Sequence, residues 1–373
     1  MHLGDLQAFA LHPGGRMLAT GDAEPNFDAD HGGRVVLWSL PALEPLAEIH
    51  LEGVTGIGWG FCPRCVEFSP SGRVLSVVYN TNALAFLELP SLTKVGTNTM
   101  SGNDGPPGSL LLNDDSYLYD YDETYVISTR RHASDLTSDM RQLLGADTRN
   151  QLVGRGPRAA VAVLSPESYN FYERTRDHYS LALIDLERGA IDARSSPQLE
   201  VDNSYPEEGF ALDPTGAKLA YFTRRLLQVC DTRTGAMIQR LPLRWSFFGF
   251  RLAPVWSPDS RRLVYFHRRD EITRAVCVEG NTETDVATCK DQRDLADGSS
   301  WAWQPDGDGA AFLDESDRVV CLDARLQRVL WRSDAYQDAE AIAWTADTVI
   351  LLGKRSIRTL DSNGGALRNE ARW

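Results

Sequence analysis

Apolar and polar residues change places along this chain in short runs, each long enough for a strand and too short for a helix. PVWSPDSRRLVYF, residues 254–266, shows the unit most clearly. Val255 and Trp256 lead into Ser257-Pro258-Asp259-Ser260, and the β-branched and aromatic run Leu263 to Phe266 follows. Proline pre-sets its own φ for the first central position of a turn, while Ser and Asp side chains bond nearby backbone. β-Branched and aromatic runs bounded by such residues fit strands. The stretch therefore predicts strand, tight turn, antiparallel strand.

The unit recurs as FALHPGGRMLATG from Phe9, VEFSPSGRVLSVV from Val66, FALDPTGAKLAYF from Phe210, WAWQPDGDGAAFL from Trp301 and IAWTADTVILLG from Ile342. A second hairpin follows most copies, for example VVLWSLPALEPLAEI from Val35, LLQVCDTRTGAMIQRL from Leu226 and SIRTLDSNGGAL from Ser356. Two hairpins make a four-stranded antiparallel sheet, and sheets repeated in this way shield one another's apolar faces by closing into a propeller. The expectation is an all-β chain with one propeller domain over 1–373, each blade contiguous in sequence. Ring closure would then come from packing of the first sheet on the last, with no shared strand.

The turn sequences and the later L-W-S-L, L-I-D-L and V-C-D-T strands resemble the WD-repeat β-propeller family, and the copy at Pro254 is also similar to bacterial repeats of the TolB type. The resemblance covers nearly the whole chain and implies a rigid platform that binds partners at the mouth of a central channel. The sequence departs from the family in lacking a full W-D dipeptide, Trp38-Ser39 being nearest, and in lacking the glycine-histidine pair.

Blade counting turns on residues 98–180. The anchor prolines are 13, 70, 214, 258 and 305, with Ala346 at the equivalent place. The long step from Pro70 to Pro214 holds either one blade with a large insertion, for seven in all, or two blades, the second anchored at Pro166, for eight. Seven is the reading adopted here, because Ser134 to Leu144 has helical spacing: Leu136, Met140, Leu143 and Leu144 fall on one face behind an N-cap serine. A propeller blade has no need of a helix, so 132–158 reads as a helical insertion. It is also arginine-rich: Arg130, Arg131, Arg141, Arg149, Arg155 and Arg158 face only Asp135, Asp139 and Asp147 between 129 and 158. Such a segment either packs on the acidic propeller or projects to dock a partner.

Charge and composition narrow the function. At a net charge of −14 the surface repels nucleic-acid phosphates and anionic membranes. No apolar run approaches the ~20 residues of a membrane-spanning helix. The start MHLGDLQAFALHP lacks a basic region followed by an apolar segment, so no signal peptide is expected and the cytoplasm is the expected compartment. Only Lys94, Lys218, Lys290 and Lys354 are lysines among 38 basic residues, a skew associated with high-GC bacterial genomes. A chain that closes on itself is expected to be monomeric.

Candidate chemistry is sparse. Cys62 and Cys65 form a C-x-x-C that could be half a zinc site, a redox pair or incidental, and no second pair completes a zinc site. Asp22, Glu24, Asp28 and Asp30 could be read as calcium ligands, but the bidentate glutamate of an EF-hand loop is missing. The glycine-rich 53–65 leads into a strand, not a helix, so it does not make a phosphate cradle. His12 and Asp213 take the turn position filled by serine at 69 and 257, and read as turn formers. No cofactor is expected. Aligning the repeats puts Gln7, Arg64, Glu208 and Glu340 just before each inner strand's core, with a small residue behind each, on a ring near the channel mouth.

The function expected is a non-catalytic interaction scaffold or sensor subunit of a bacterial multi-protein system, binding a protein through the mouth ring or the arginine-rich segment. The competing reading is a propeller enzyme, hydrolase or lyase, with carboxylates in the channel.

Overall fold

The computed structural model describes residues 5–23, 34–51, 63–79, 83–99, 110–120, 124–130, 132–133, 141–142, 150–155, 159–164, 177–185, 190–194, 199–201, 210–222, 226–243, 254–269, 272–289 and 300–373. The described strands form eight sheets, and no helix occurs among the described residues. Six sheets have four strands in simple up-and-down order, and two carry a fifth. Their first strands are Asp5–Leu11, Pro63–Phe68, Leu110–Leu111, Asn150–Arg155, Phe210–Leu212, Val255–Trp256, Trp301–Trp303 and Ala339–Trp344.

The first strands are innermost: that of the first sheet touches that of the second, the second the third, the fourth the fifth, the fifth the sixth and the seventh the eighth. Facing sheets share buried apolar clusters. Ala8, Val35 and Leu37 pack on Val66 and Leu75, and Leu227 and Val229 pack on Leu263 and Tyr265. The ring closes where Leu18, Val36 and Trp38 of the first sheet meet Ile350, Leu352 and Ile357 of the eighth. Trp373 stacks on Trp38 at 6.3 Å, and the Pro41 carbonyl accepts from Thr359 and Asn369, both at 3.0 Å. No strand is shared at the closure.

Eight is the larger of the two counts the sequence left open, and the two additional inner turns lie elsewhere than Pro166. The third sheet turns at 112–115, where Leu112 N–H donates to the Ser116 carbonyl. Ala159–Leu164, the run leading to Pro166, is a second strand paired with Asn150–Arg155. The helical reading of 134–144 also needs correction in part. Arg141 and Gln142 pair with Val126 and Tyr125 as the outer strand of the third sheet. An outer strand faces solvent and needs no long apolar period, so four leucine and methionine positions at helical spacing carry little information there. Residues 134–140 and 143–144 lie outside the described residues. Within 132–158, His132–Ala133 adds in parallel to the outer strand of the second sheet, and Asn150–Arg155 opens the fourth.

The repeated turn does two jobs. Within a blade its first polar side chain accepts backbone N–H groups: Ser257 Oγ from Arg262 at 2.9 Å, Asp213 Oδ1 from Lys218 at 2.7 Å, and His12 Nδ1 from Gly14 at 2.9 Å. His12 and Asp213 are turn formers. Between blades the turns latch. His12 Nε2 reaches the Gly72 carbonyl at 3.2 Å, Lys218 Nζ donates to Ser260 O at 3.0 Å, and the buried Arg262 guanidinium donates to the carbonyls of Gly307 and Ala324 while lying 4.8 Å over Trp303. Tryptophans repeat the device: Trp256 and Trp303 donate to Ala211 O and Val255 O on the preceding sheets.

Asp114 is the latch of the third sheet. It accepts from Ser69 at 2.7 Å and Ser71 at 2.6 Å, and pairs with Arg73 at 2.6 Å. Burial would raise its pKa, but the hydrogen bonds from Ser69, Ser71 and Arg73 outweigh that and hold the carboxyl below its usual range. Asp114→Ala is expected to cost about 1–3 kcal/mol in urea unfolding at pH 7, by leaving these donors without their acceptor. A carboxyl with a depressed folded pKa stabilises above its unfolded pKa of about 4 and loses that contribution as pH falls. The gap between variant and wild type should therefore narrow toward pH 3.

Candidate functional site

Several inner strands carry β-bulges. The inner strand of the first sheet shifts register between Leu6 and Ala8, that of the second between Pro63 and Cys65, and that of the eighth between Ala339 and Ala341. The extra residue in each case is Gln7, Arg64 or Glu340, three of the four residues that the aligned repeats single out. A bulge leaves one residue unpaired and re-aims its side chain. The small residue behind each (Ala8, Cys65, Ala341) resumes the ladder at the crowded inner edge. The fourth sheet repeats the arrangement with Val153 before Gly154, a position the sequence alignment did not pick. Glu208 lies outside the described residues.

Around the bulges of the closing blades, charged groups cross-link the first and eighth sheets. Leu6 N–H donates to the Lys354 carbonyl at 2.7 Å, tying the first inner strand to the hairpin turn of the eighth sheet. Lys354 Nζ lies 3.4 Å from Glu340, and Arg355 pairs with Asp5 at 2.7 Å. Gln7 is exposed, while the Glu340 side chain is only 16% exposed. Asp5, Lys354 and Arg355 escaped sequence reasoning, since nothing in a strand-end residue says which turn of a blade far away in sequence will meet it.

The eighth sheet also holds a buried cation. Arg358, 4% exposed, pairs with Asp338 at 2.7 Å and Glu370 at 2.5 Å and lies 5.0 Å over the Tyr336 ring. Ser356 donates to Asp338 at 2.5 Å. A Cβ on Gly353 would stand 2.5 Å from the Asp338 carbonyl, so the network also needs glycine there. The stretch 336–338 leads directly into the bulge at Glu340, and Arg358 fixes it.

The arginine-rich segment is only partly within the described residues. Arg130 is exposed and pairs with Asp115 at 3.0 Å. Arg141 and Arg155 lie on strands of the third and fourth sheets, and Arg131, Arg149 and Arg158 lie outside the described residues. Cys62 also lies outside them. Cys65 is half-buried, and burial pushes the thiols of Cys230, Cys277, Cys289 and Cys321 up to about 12, which makes them inert apolar side chains. Of the acidic loop, Asp22 is buried opposite Arg34, and Glu24, Asp28 and Asp30 lie outside the described residues. No group of metal-ligating side chains occurs among the described residues. Among the described residues no helix is long and apolar enough to cross a membrane.

No family model and no curated protein matches this chain. Solved structures do resemble it. The Dos1 propeller aligns with a TM-score of 0.60 at 13% identity, over 98% of this chain and 94% of that one. KlAtg21, solved in complex with the coiled coil of AgAtg16, aligns at 0.57 and 12% identity over 99% of each chain. The computationally designed Ika8 protein aligns at 0.57 and 10% identity, over 95% of this chain and 94% of that one. At such identities the likeness speaks to the fold alone, and the fold is that of a β-propeller.

Proposed function

We propose that this propeller is a non-catalytic interaction scaffold whose channel mouth, at Gln7, Arg64, Glu208 and Glu340, binds a protein partner. The observation that carries the reading is the bulge at Gln7, Arg64 and Glu340: each inner strand breaks its ladder where the repeats place a polar side chain at the mouth. Bulges that re-aim side chains are functional features of sheets, and rigid scaffolds bind through groups they hold still. KlAtg21 with the AgAtg16 coiled coil is one instance of a similar fold holding a protein. Arg130, with Arg131, Arg141, Arg149, Arg155 and Arg158, supplies a second, basic contact. The partner belongs to a bacterial multi-protein system in the cytoplasm. The arginine skew of the sequence and the free thiols of Cys230, Cys277, Cys289 and Cys321 support that setting.

The test is affinity capture from the native host with the full chain and with the double variant Arg64→Glu, Glu340→Lys. A partner retained by the wild type and reduced about tenfold or more by reversal of two contact charges is expected. Recovery of no stable partner, or equal retention by the double variant, would overturn the reading.

A further inference from the structure

Arginines of the eighth sheet are spoken for: Arg355 by Asp5, Arg358 by Asp338 and Glu370, Arg368 by Asp361, and Arg372 by Glu370. On the outer edge of the seventh sheet this pattern fails. Arg325, Arg328 and Arg332 are exposed, and none forms an ion pair among the described residues. The Asp323 carboxylate beside them is occupied by the backbone N–H groups of Gln327 and Arg328, at 3.0 and 3.2 Å. Even with Asp323 and Asp334 included, residues 323–335 are net positive on a chain of net charge −14.

Between these arginines lie Val329 and Leu330, 37% and 50% exposed. They begin the strand Val329–Ala335, which is outermost in its sheet and pairs only inward, with Arg318–Leu322. Its outward N–H and C=O groups form an open edge, and open edges template pairing with another chain. This fold already extends a blade that way, since His132–Ala133 adds to Thr97 and Asn98 on the outer strand of the second sheet. Elsewhere among the described outer strands the combination is weaker, and exposed Ile238 has the single arginine Arg240 beside it. Leu367 is exposed beside the paired Arg368, and Leu46 is followed by Glu48, which is bound to Arg34.

We propose that the outer edge of the seventh blade binds an extended acidic segment of a protein partner by strand addition. The segment's backbone pairs with Val329–Ala335, its apolar side chains cover Val329 and Leu330, and its carboxylates meet Arg325, Arg328 and Arg332. This site stands apart from the channel mouth and shares with it only the premise that the propeller binds proteins.

The test uses the full chain and a fluorescein-labelled peptide of alternating valine and glutamate, about eight residues long, the length of a typical edge strand. Two controls accompany it, a valine–lysine counterpart and the acidic peptide with proline at its centre. Fluorescence anisotropy should show saturable binding of the acidic peptide alone. Arg328→Glu with Arg332→Glu should weaken it roughly tenfold, Arg325→Glu should weaken it less, and Glu340→Lys at the mouth should leave it unchanged. Because Arg325 lies in the turn, its variant reports even if the strand variant fails to fold. Lack of binding to wild type, equal binding of the lysine or proline peptide, or indifference to the arginine reversals would overturn the proposal. So would self-association abolished by the same reversals, which would make a second copy of this chain the occupant.

Discussion

Replacing Leu352 by alanine should destabilise this protein by about 2–5 kcal/mol, the range for a buried leucine emptied to a cavity, measured as a shift in the urea midpoint at constant slope. Leu352 is 0% exposed and lies in the cluster joining the last blade to the first. The control is Leu330→Ala: the same chemistry at a side chain half in water, where a change within about 0.5 kcal/mol is expected. A third variant, Leu75→Ala, removes the same atoms from the cluster between the first and second blades. In a closed ring Leu352 and Leu75 are equivalent, and both should lower one cooperative transition by similar amounts. In an open array of repeats, stability is a sum over neighbours and the two ends never meet, so Leu352→Ala would be nearly silent. A Leu352→Ala effect no larger than that of Leu330→Ala would remove the ring.

Much of this ring could be read in the chain itself, for a physical reason. A strand–turn–strand unit such as 254–266 carries its own turn chemistry, and Ser257 and Asp213 perform in the structure the backbone capping that their residue types imply. The third blade was hidden because its turn uses other means. Asn113-Asp114-Asp115 replaces the proline–glycine turn, and Asp114 does its main work by reaching across to Ser69 and Ser71 on another blade. Short solvent-facing strands such as Arg141–Gln142 leave almost no periodic trace. The bulges at Gln7, Arg64 and Glu340 fall where the aligned repeats set a polar residue ahead of a small one, in Gln7-Ala8, Arg64-Cys65 and Glu340-Ala341. The rim at Arg325, Arg328 and Arg332 was not legible. Its character lies in the absence of paired carboxylates, and pairing is decided only when distant strands meet.

The second large effect is expected at Arg358. Deleting one partner of a buried ion pair costs about 3–5 kcal/mol when both charges are sealed from water. Here the Asp338 and Glu370 side chains remain 40% and 25% exposed, and Glu370 keeps Arg372 at 2.7 Å. Hydration of the orphaned carboxylates discounts the loss, so Arg358→Met should cost about 2–3 kcal/mol at pH 7. The pH dependence identifies the cause. Burial would raise the pKa of both carboxyls, but hydrogen bonds from Ser356 and Arg358 to Asp338, and from Arg372 and Arg358 to Glu370, hold both below their usual values. Groups with depressed folded pKa values stabilise above their unfolded pKa, about 4, and lose that contribution as pH falls through the folded value. Wild type should therefore lose stability toward pH 3 faster than Arg358→Met, and the two unfolding curves should converge. A gap that stays constant from pH 7 to pH 3 would mean that methionine fails there for want of shape, not charge. Because Asp338 leads into the bulge at Glu340, the same variant should also weaken partner capture at the mouth, while Leu330→Ala leaves it intact.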